Sequence, residues 1–316
     1  MNGNKKILID IVVPNYNGRH LLSRFFDGVF SFSNSLKCVK DIIVIDDCST
    51  DDSYEFIRKY FPVVKLIKIN KNIGFAKALN CGFEYASAPF VFALNTDVEI
   101  NEKTFSIEHI QYLSDNRVFA ISPQIRYPTG ELCSPHLLFP EWINGSLHMG
   151  KHLEPLNEDI PKCTFWVSAG SSIFNREKYI QLKGLRDIFH PFYSEDVDLC
   201  WRAWNKSWKS LWINYGYVIH HRDGVINNNF DHMYIDHIKS RNKHILTWLN
   251  CPIKDLFKHH ILYIVFDKSR RKSLISALRY IPTVIKERIK NPPVFGVEYL
   301  RNIITKKWKN NSLKVK

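Results

Sequence analysis

Long apolar runs are missing from this chain. Spanning a bilayer takes roughly 18 consecutive apolar residues, and the richest stretches here (IVVP, IIVI, FVFAL, ILYIVF) are only strand-length. No transmembrane helix is expected. The first residues, MNGNKKILIDIVVPNYN, lack a separate apolar segment with a small-residue cleavage site, and Asp10 interrupts the one apolar stretch. That predicts no signal peptide. The seven cysteines, at 38, 48, 81, 133, 163, 200 and 251, are odd in number, scattered and never spaced C-x-x-C. A disulfide framework and a zinc site are thereby disfavoured, and a reducing cytosol fits. Neither G-x-G-x-x-G nor G-K-[ST] occurs, which argues against a Rossmann dinucleotide site and a Walker loop. Internal repeats and low-complexity tracts are absent as well.

What remains is an ordinary globular composition: 316 residues, 45% apolar and 24% charged, enough for one large domain or two. The charge is unevenly placed. Of the formal net +13, residues 251–316 carry +12, from sixteen Lys and Arg against four acids. The main body is nearly neutral and the basic character belongs to a C-terminal appendage.

Patterning in the first half alternates short β-rich runs with helical stripes. Strands are expected at 7–13, 42–45, 64–69 and 90–94, and helices near 21–30, 53–60 and 75–85. Continuous apolar strands separated by single helices imply βαβ crossovers and a mostly parallel sheet covered on both faces. Further on, a helix is expected over 101–114, a strand at 118–122, irregular loop across 123–162 and a strand over 165–174. Helices follow at 176–182, 196–205 and 230–249, with strands at 210–213 and 217–220. Ligands of such sheets sit beyond the carboxyl ends of the strands, so the polar residues after each run are the candidates.

Asp46 and Asp47 open DDCSTD after the second strand; they form either a helix-capping acidic loop or an acceptor for a base or ribose. Asn95-Thr96-Asp97 follows the fourth strand, where an acid could hold a divalent cation on two phosphates. Glu195-Asp196-Val197-Asp198 starts a helix. Its acids either complement the helix dipole, with Asp198 paired to Arg202, or include a general base raised by burial and neighbours. Of His220 and His221 only one can face a cleft. Gly74, opening the third helix, permits close approach of an anion, with Asn72 beside it.

Taken in order, IDIVVP with Asn15-Tyr16-Asn17, VIDDCSTDDS, NIGFAKALN, FALNTDVEI and YSEDVDLCWR resemble the inverting nucleotide-sugar glycosyltransferases of family two, and most closely their bacterial rhamnosyltransferase-like branch. The resemblance runs from about residue 7 to 250, and Arg241-Asn242 matches a recurrent pair in that branch. It implies a GT-A fold: a Rossmann-like nucleotide-binding half joined to an acceptor half. It also implies a division into a catalytic domain, 1–250, and a basic helical extension, 251–316. Asp47 matches the acid that contacts the nucleotide base, with Pro14, Asn15, Tyr16 and Asp46 around it and Asn72, Gly74, Asn95 and Arg241 as further nucleotide contacts. Asp97 matches the final acid of the metal-binding D-x-D motif, whose first acid is here Asn95. His220 is the better match for a third metal ligand, with His221 as the fallback. Asp196 matches the catalytic base, while Glu195 and Trp201 are placed on the acceptor side.

The implied activity is transfer of a sugar, rhamnose from dTDP-rhamnose by resemblance, to a polyprenyl-linked or oligosaccharide acceptor in bacterial surface polysaccharide synthesis. It would require Mg²⁺ or Mn²⁺. The amphipathic stripe at 274, 275, 278 and 281 suits either an anionic membrane surface or helices packed on the catalytic domain. The expected location is the cytoplasm, peripheral to the inner face of the membrane. Two other readings compete. A sugar nucleotidyltransferase would carry a Gly-rich loop where this chain has PNYNG. A non-catalytic nucleic-acid or membrane-binding protein would use the basic charge, but no zinc, helix-turn-helix or RNP-type motif accompanies it, and no nucleic-acid partner is expected.

Overall fold

The computed structural model describes residues 7–133, 137–152, 161–221, 230–261 and 271–309. Strands β1 (Ile9–Asn15), β2 (Val39–Asp46), β3 (Lys65–Lys68) and β4 (Phe90–Leu94) alternate with helices α1 (Arg19–Ser35), α2 (Ser53–Tyr60) and α3 (Phe75–Tyr85). The four strands are parallel, in the order β3-β2-β1-β4. Period-two alternation decides which helix covers which face. Ile9, Ile11 and Val13 pack with Phe26, Val29 and Phe32 of α1. Val12, Ile43 and Ile45 face Leu79 and Phe83 of α3. Asp10, alone in this apolar run, is buried because its carboxylate accepts the Ser87 and Ala88 N–H groups at 2.6 and 2.8 Å.

The second half adds β5 (Val98–Glu99), α4 (Ile107–Gln111), β6 (Val118–Arg126), β7 (Leu137–Ile143), β8 (Ser146–His152), β9 (Lys162–Thr164) and β10 (Ser171–Asn175). Then come α5 (Arg176–Gln181), α6 (Glu195–Asn205), β11 (Lys209–His220) and α7 (His232–Asn250). β10 runs antiparallel between β4 and β6, while β11 is parallel to β6. The nine-stranded sheet is therefore ordered β3-β2-β1-β4-β10-β6-β11-β5, with β9 beside β11, and is mostly parallel. Beyond α7, helices α8 (Arg271–Leu278) and α9 (Ile281–Lys290) lie against α7, and α10 (Val297–Lys309) lies against β7 and β9. Ala277, Val284, Val297, Leu300 and Ile304 from these helices are buried in the main hydrophobic core. No helix among the described residues is long and apolar enough to cross a membrane, and none of the seven cysteines forms a disulfide.

Several elements differ from expectation for local reasons. β1 continues through Pro14 to Asn15, because pairing with β4 ends at Val12 and the strand beyond needs no ladder donor on that side. The helix expected from Asn101 starts only at Ile107. The Asn101 carboxamide accepts the Lys103 N–H and Thr104 Oγ1 accepts the Asn101 N–H, closing turns instead. The stretch 123–162 is not all loop: β6 runs on to Arg126, and β7 and β8 form an antiparallel hairpin around Asn144-Gly145. Residues 134–136 and 153–160 lie outside the described residues. Of 165–174 only the end is strand, since Ser168–Gly170 turns the chain into β10.

Candidate active site

Asn15, Asp46 and Asn95 stand at the carboxyl ends of β1, β2 and β4, three neighbouring parallel strands. Their loops interlock. Asn15 Nδ2 donates to Asp46 Oδ2 and to Ser49 Oγ, both at 3.1 Å, and Asp46 Oδ1 accepts the Ser49 N–H at 3.0 Å. Asp47 is also buried, and its two oxygens accept the Ile73 and Gly74 N–H groups at 2.8 Å. It thus clamps the loop ahead of α3, with Asn72 Nδ2 donating to the Asp47 carbonyl. Each carboxylate oxygen keeps a second lone pair for a ligand. Gly74 has φ +82°, and a Cβ there would meet the His190 ring at 3.0 Å; left-handed backbone and close approach together require glycine. Pro14 is half-buried and Tyr16 exposed at the same rim.

Asp97 follows the β4 end and reaches His220 at the end of β11, with Oδ2 3.2 Å from Nε2. Burial opposes charge on the imidazole, but the hydrogen bonds it donates to Asp97 and Cys133 outweigh it and hold His220 at about 9. His221 points the other way, pairing Glu99 at 2.8 Å and stacking on Phe25. The two adjacent histidines are thereby told apart. A cation here would displace the His220 proton, after which Asp97 and His220 would offer a hard oxygen and a neutral imidazole, a donor set that suits Mg²⁺ or Mn²⁺. Among the described residues no group of three or more His, Cys, Asp and Glu is arranged to hold a metal. A cation here would complete its shell with phosphate oxygens and water. Cys133 was not singled out by sequence, because it sits in the stretch read as irregular.

Asp196 lies in the first turn of α6, and the Ser168–Gly170 turn links it to Asn95. The Asn95 N–H donates to the Gly170 carbonyl at 2.8 Å, and a Cβ on Gly170 would strike the Asn95 carboxamide at 2.4 Å. Asn95 Oδ1 is buried with no hydrogen-bond partner among the described residues. Burial pushes the Asp196 carboxyl up to about 6, against the Trp166 indole and the Val197 and Ala169 N–H groups, which draw it down. Burial and the Asp196 charge raise the adjacent Glu195 to about 8, and its Oε2 has no hydrogen-bond partner among the described residues. Asp198, the third acid of the motif, is the dipole and ion-pair residue. It is fully buried between Arg186 (2.9 Å) and Arg202 (2.8 Å), with Asn250 donating at 2.9 Å.

Two expected site residues lie elsewhere. Trp201 is fully buried, edge-on to Phe165 at 5.2 Å, so it packs the core and offers no surface to an acceptor. Arg241 is buried too. Its guanidinium donates to Asn242 Oδ1 and the His190 carbonyl and lies over the Tyr280 ring. With Asn242 Nδ2 donating to the Phe189, Phe192 and Tyr193 carbonyls, it braces the loop leading to Asp196. His190, which belongs to none of the sequence motifs, stands beside Gly74 through that bracing.

Residues 10–179 match the family model for glycosyl transferase family 2. The chain is 24% identical over 244 residues to the N-acetylglucosaminyl-diphospho-decaprenol L-rhamnosyltransferase of Mycobacterium tuberculosis, covering 68% of this chain and 76% of that protein. It is 33% identical over 103 residues to the undecaprenyl-phosphate 4-deoxy-4-formamido-L-arabinose transferase of Aeromonas hydrophila, covering 31% and 32%. Among solved structures it resembles GalNAc-T7 with UDP, GalNAc and Mn²⁺ at TM-score 0.71 and 15% identity; the match covers 98% of this chain but spans only 59% of that one. TarS 1-349 of S. aureus in complex with UDP-GlcNAc matches at TM-score 0.55 and 14% identity, over 96% and 92%. These structural likenesses concern the fold, which is GT-A. With more than half its length matched by the family model, the chain belongs to glycosyl transferase family 2.

Proposed function

We propose that this glycosyltransferase moves a sugar from a nucleoside diphosphate donor to an acceptor hydroxyl with inversion at the anomeric carbon, Asp196 acting as general base. One observation carries the reading: the Ser168–Gly170 turn ties the raised Asp196 carboxyl to the strand end that bears Asn95 and Asp97. At neutral pH a carboxyl near 6 is mostly ionised yet basic enough to accept a proton in the transition state. Asp196 takes the acceptor hydroxyl's proton as its oxygen forms the new glycosidic bond and the bond to the nucleoside diphosphate breaks. Pro14, Asn15, Tyr16, Asp46 and Asp47 would line the base and ribose pocket, with Asn72 and Gly74 beside it. The orphaned Oδ1 of Asn95 would accept from a donor hydroxyl. Asp97 and His220 would hold a divalent cation, whose chemistry when bound is to neutralise charge on the leaving diphosphate.

The acceptor class we propose is a lipid-linked or growing polysaccharide chain, and the donor dTDP-rhamnose. Support comes from the mycobacterial relative, named for rhamnosyl transfer to a diphospho-decaprenol acceptor. The test is titration calorimetry of dTDP, UDP and GDP sugars with Mn²⁺ or with chelator, beside turnover, on wild type, Asp196→Asn and Asp97→Asn. Asp196→Asn should bind donor within about twofold of wild type while turnover falls by a factor of about 100 or more. Asp97→Asn should lose the cation dependence of binding. Turnover preserved in Asp196→Asn overturns the assignment.

A further inference from the structure

The sequence stripe in the basic tail left two partners open, and the fold leaves Ile275, Leu278 and Ile281 of it exposed. On α8 and α9 the inward positions are Ser273, Ala277 and Val284, buried in contact with the body of the protein. The outward positions are also apolar. Ile275 and Leu278 are exposed on α8, followed by Ile281, Ile285 and Ile289 at i, i+4 and i+8 on α9. Ile285 is 53% and Ile289 78% exposed, although either could have been polar without loss to the core. Exposed Arg271, Lys272, Arg279, Lys286 and Lys290 stand among them. The single acid of this stretch, Glu287, lies between Arg186 at 3.3 Å and Lys290 at 3.8 Å, while Arg288 is turned inward to the Trp248 and Cys251 carbonyls. The outward face therefore carries cations and isoleucines and no free acid.

We propose that this face of α8 and α9 docks on a bilayer surface bearing anionic headgroups, Ile281, Ile285 and Ile289 entering the acyl boundary. This deepens the lipid-linked acceptor reading and rests on it for its purpose. Interfaces between proteins are depleted of lysine at their centre, whereas here Lys286 and Lys290 adjoin the very isoleucines that would be covered. On a membrane the long lysine stems lie along the apolar boundary and the ammonium groups reach lipid phosphates. The face is also tied to the site. Tyr280, between α8 and α9, contacts Arg241, which holds the His190 loop beside Gly74. Glu287 reaches Arg186, the partner of Asp198 on the helix that carries Asp196.

The test is co-sedimentation of the full chain with acceptor-free vesicles of phosphatidylcholine, alone or with about 30% phosphatidylglycerol. Wild type should bind the anionic vesicles, with binding falling steeply as salt is raised, and should leave pure phosphatidylcholine largely unbound. Ile285→Ser with Ile289→Ser, and separately Lys286→Glu with Lys290→Glu, should each lower partitioning by about tenfold. The melting temperature should stay within about 1 °C of wild type in both, which shows that the variants fold. Because the vesicles contain no acceptor, failure of the glycosyl-transfer reading leaves this result untouched. Equal binding by wild type and the serine variant overturns the proposal, as does wild type that ignores anionic vesicles. Wild type that self-associates without lipid, and becomes monomeric in the serine variant, overturns it in favour of a second copy on this face.

Discussion

Glu195 and Asp196 are adjacent carboxyls that burial pushes in one direction, to about 8 and about 6. Neighbours this close release their protons in two steps that belong to the pair. The base must be ionised to act, so kcat/KM should rise with pH across the lower step and be lost as pH falls below it. Glu195→Gln keeps the shape of the pair and removes one proton. Its acid limb should stay near pH 6 while any upper step disappears, as read from a pH profile of turnover. Stability gives an independent readout. A carboxyl raised in the folded state holds a proton that the unfolded chain releases, so its contribution is present at low pH and lost as pH rises through about 8. Glu195→Gln should therefore melt higher than wild type at pH 9, and the gap should close towards pH 4. Scanning calorimetry at both pH values checks this.

The placement of Asp46, Asp47, Asp97 and Asp196 at strand and helix ends was legible in the sequence, because the apolar patterning marks those ends. What each one touches was not. That Asp47 holds two backbone N–H groups, or that His220 and not His221 meets Asp97, depends on strand pairing between distant segments. Trp201 misled for a similar reason: one helical position decides whether an indole faces the core or the cleft.

At the scale of elements, α6 is held by the Asp198 network. Burial disfavours the Asp198 charge, but Arg202, Arg186 and Asn250 outweigh it and keep the carboxyl below its ordinary range. Removing the acid leaves the buried Arg202 guanidinium without a carboxylate partner and Arg186 with Glu287 alone. Asp198→Ala should cost about 3–5 kcal/mol, measured as a lower urea midpoint. Wild type, whose Asp198 pKa is depressed, should lose this contribution as pH falls through the acid range, and the variant should not. The β7–β8 hairpin shows a signal that was present and overlooked. Asn144 and Gly145 both have positive φ, the backbone that Asn-Gly favours in a two-residue hairpin turn. Proline, glycine and histidine around it mask the alternation, so composition outweighed a specific dipeptide. Helices α2 and α3 and strand β4 were legible to the residue because the apolar spacing marks their ends.

For the whole molecule, charge separates what the tail does inward from what it does outward. Its cations are almost the entire net charge of the chain, yet its buried residues belong to the common core. Val297, Leu300 and Ile304 of α10 are essentially inaccessible and pack over β7 and β9, with Arg301 over the Phe139 ring at 5.3 Å. A chain ended at Gly296 would expose these neighbours to water. At about 1.5–3 kcal/mol per buried aliphatic side chain, an upper estimate, the loss is several kcal/mol, which corresponds to a melting temperature lower by about 10 °C. Ile285→Ser with Ile289→Ser removes two apolar side chains from the exposed side and should leave the melting temperature within about 1 °C, since little area is recovered from water on folding. Calorimetry on the two proteins separates the faces. If the truncated chain melts with wild type, α10 contributes no packing and the tail is only an appendage. If the double serine variant melts with the truncated chain, Ile285 and Ile289 are part of the core and are not available to a partner.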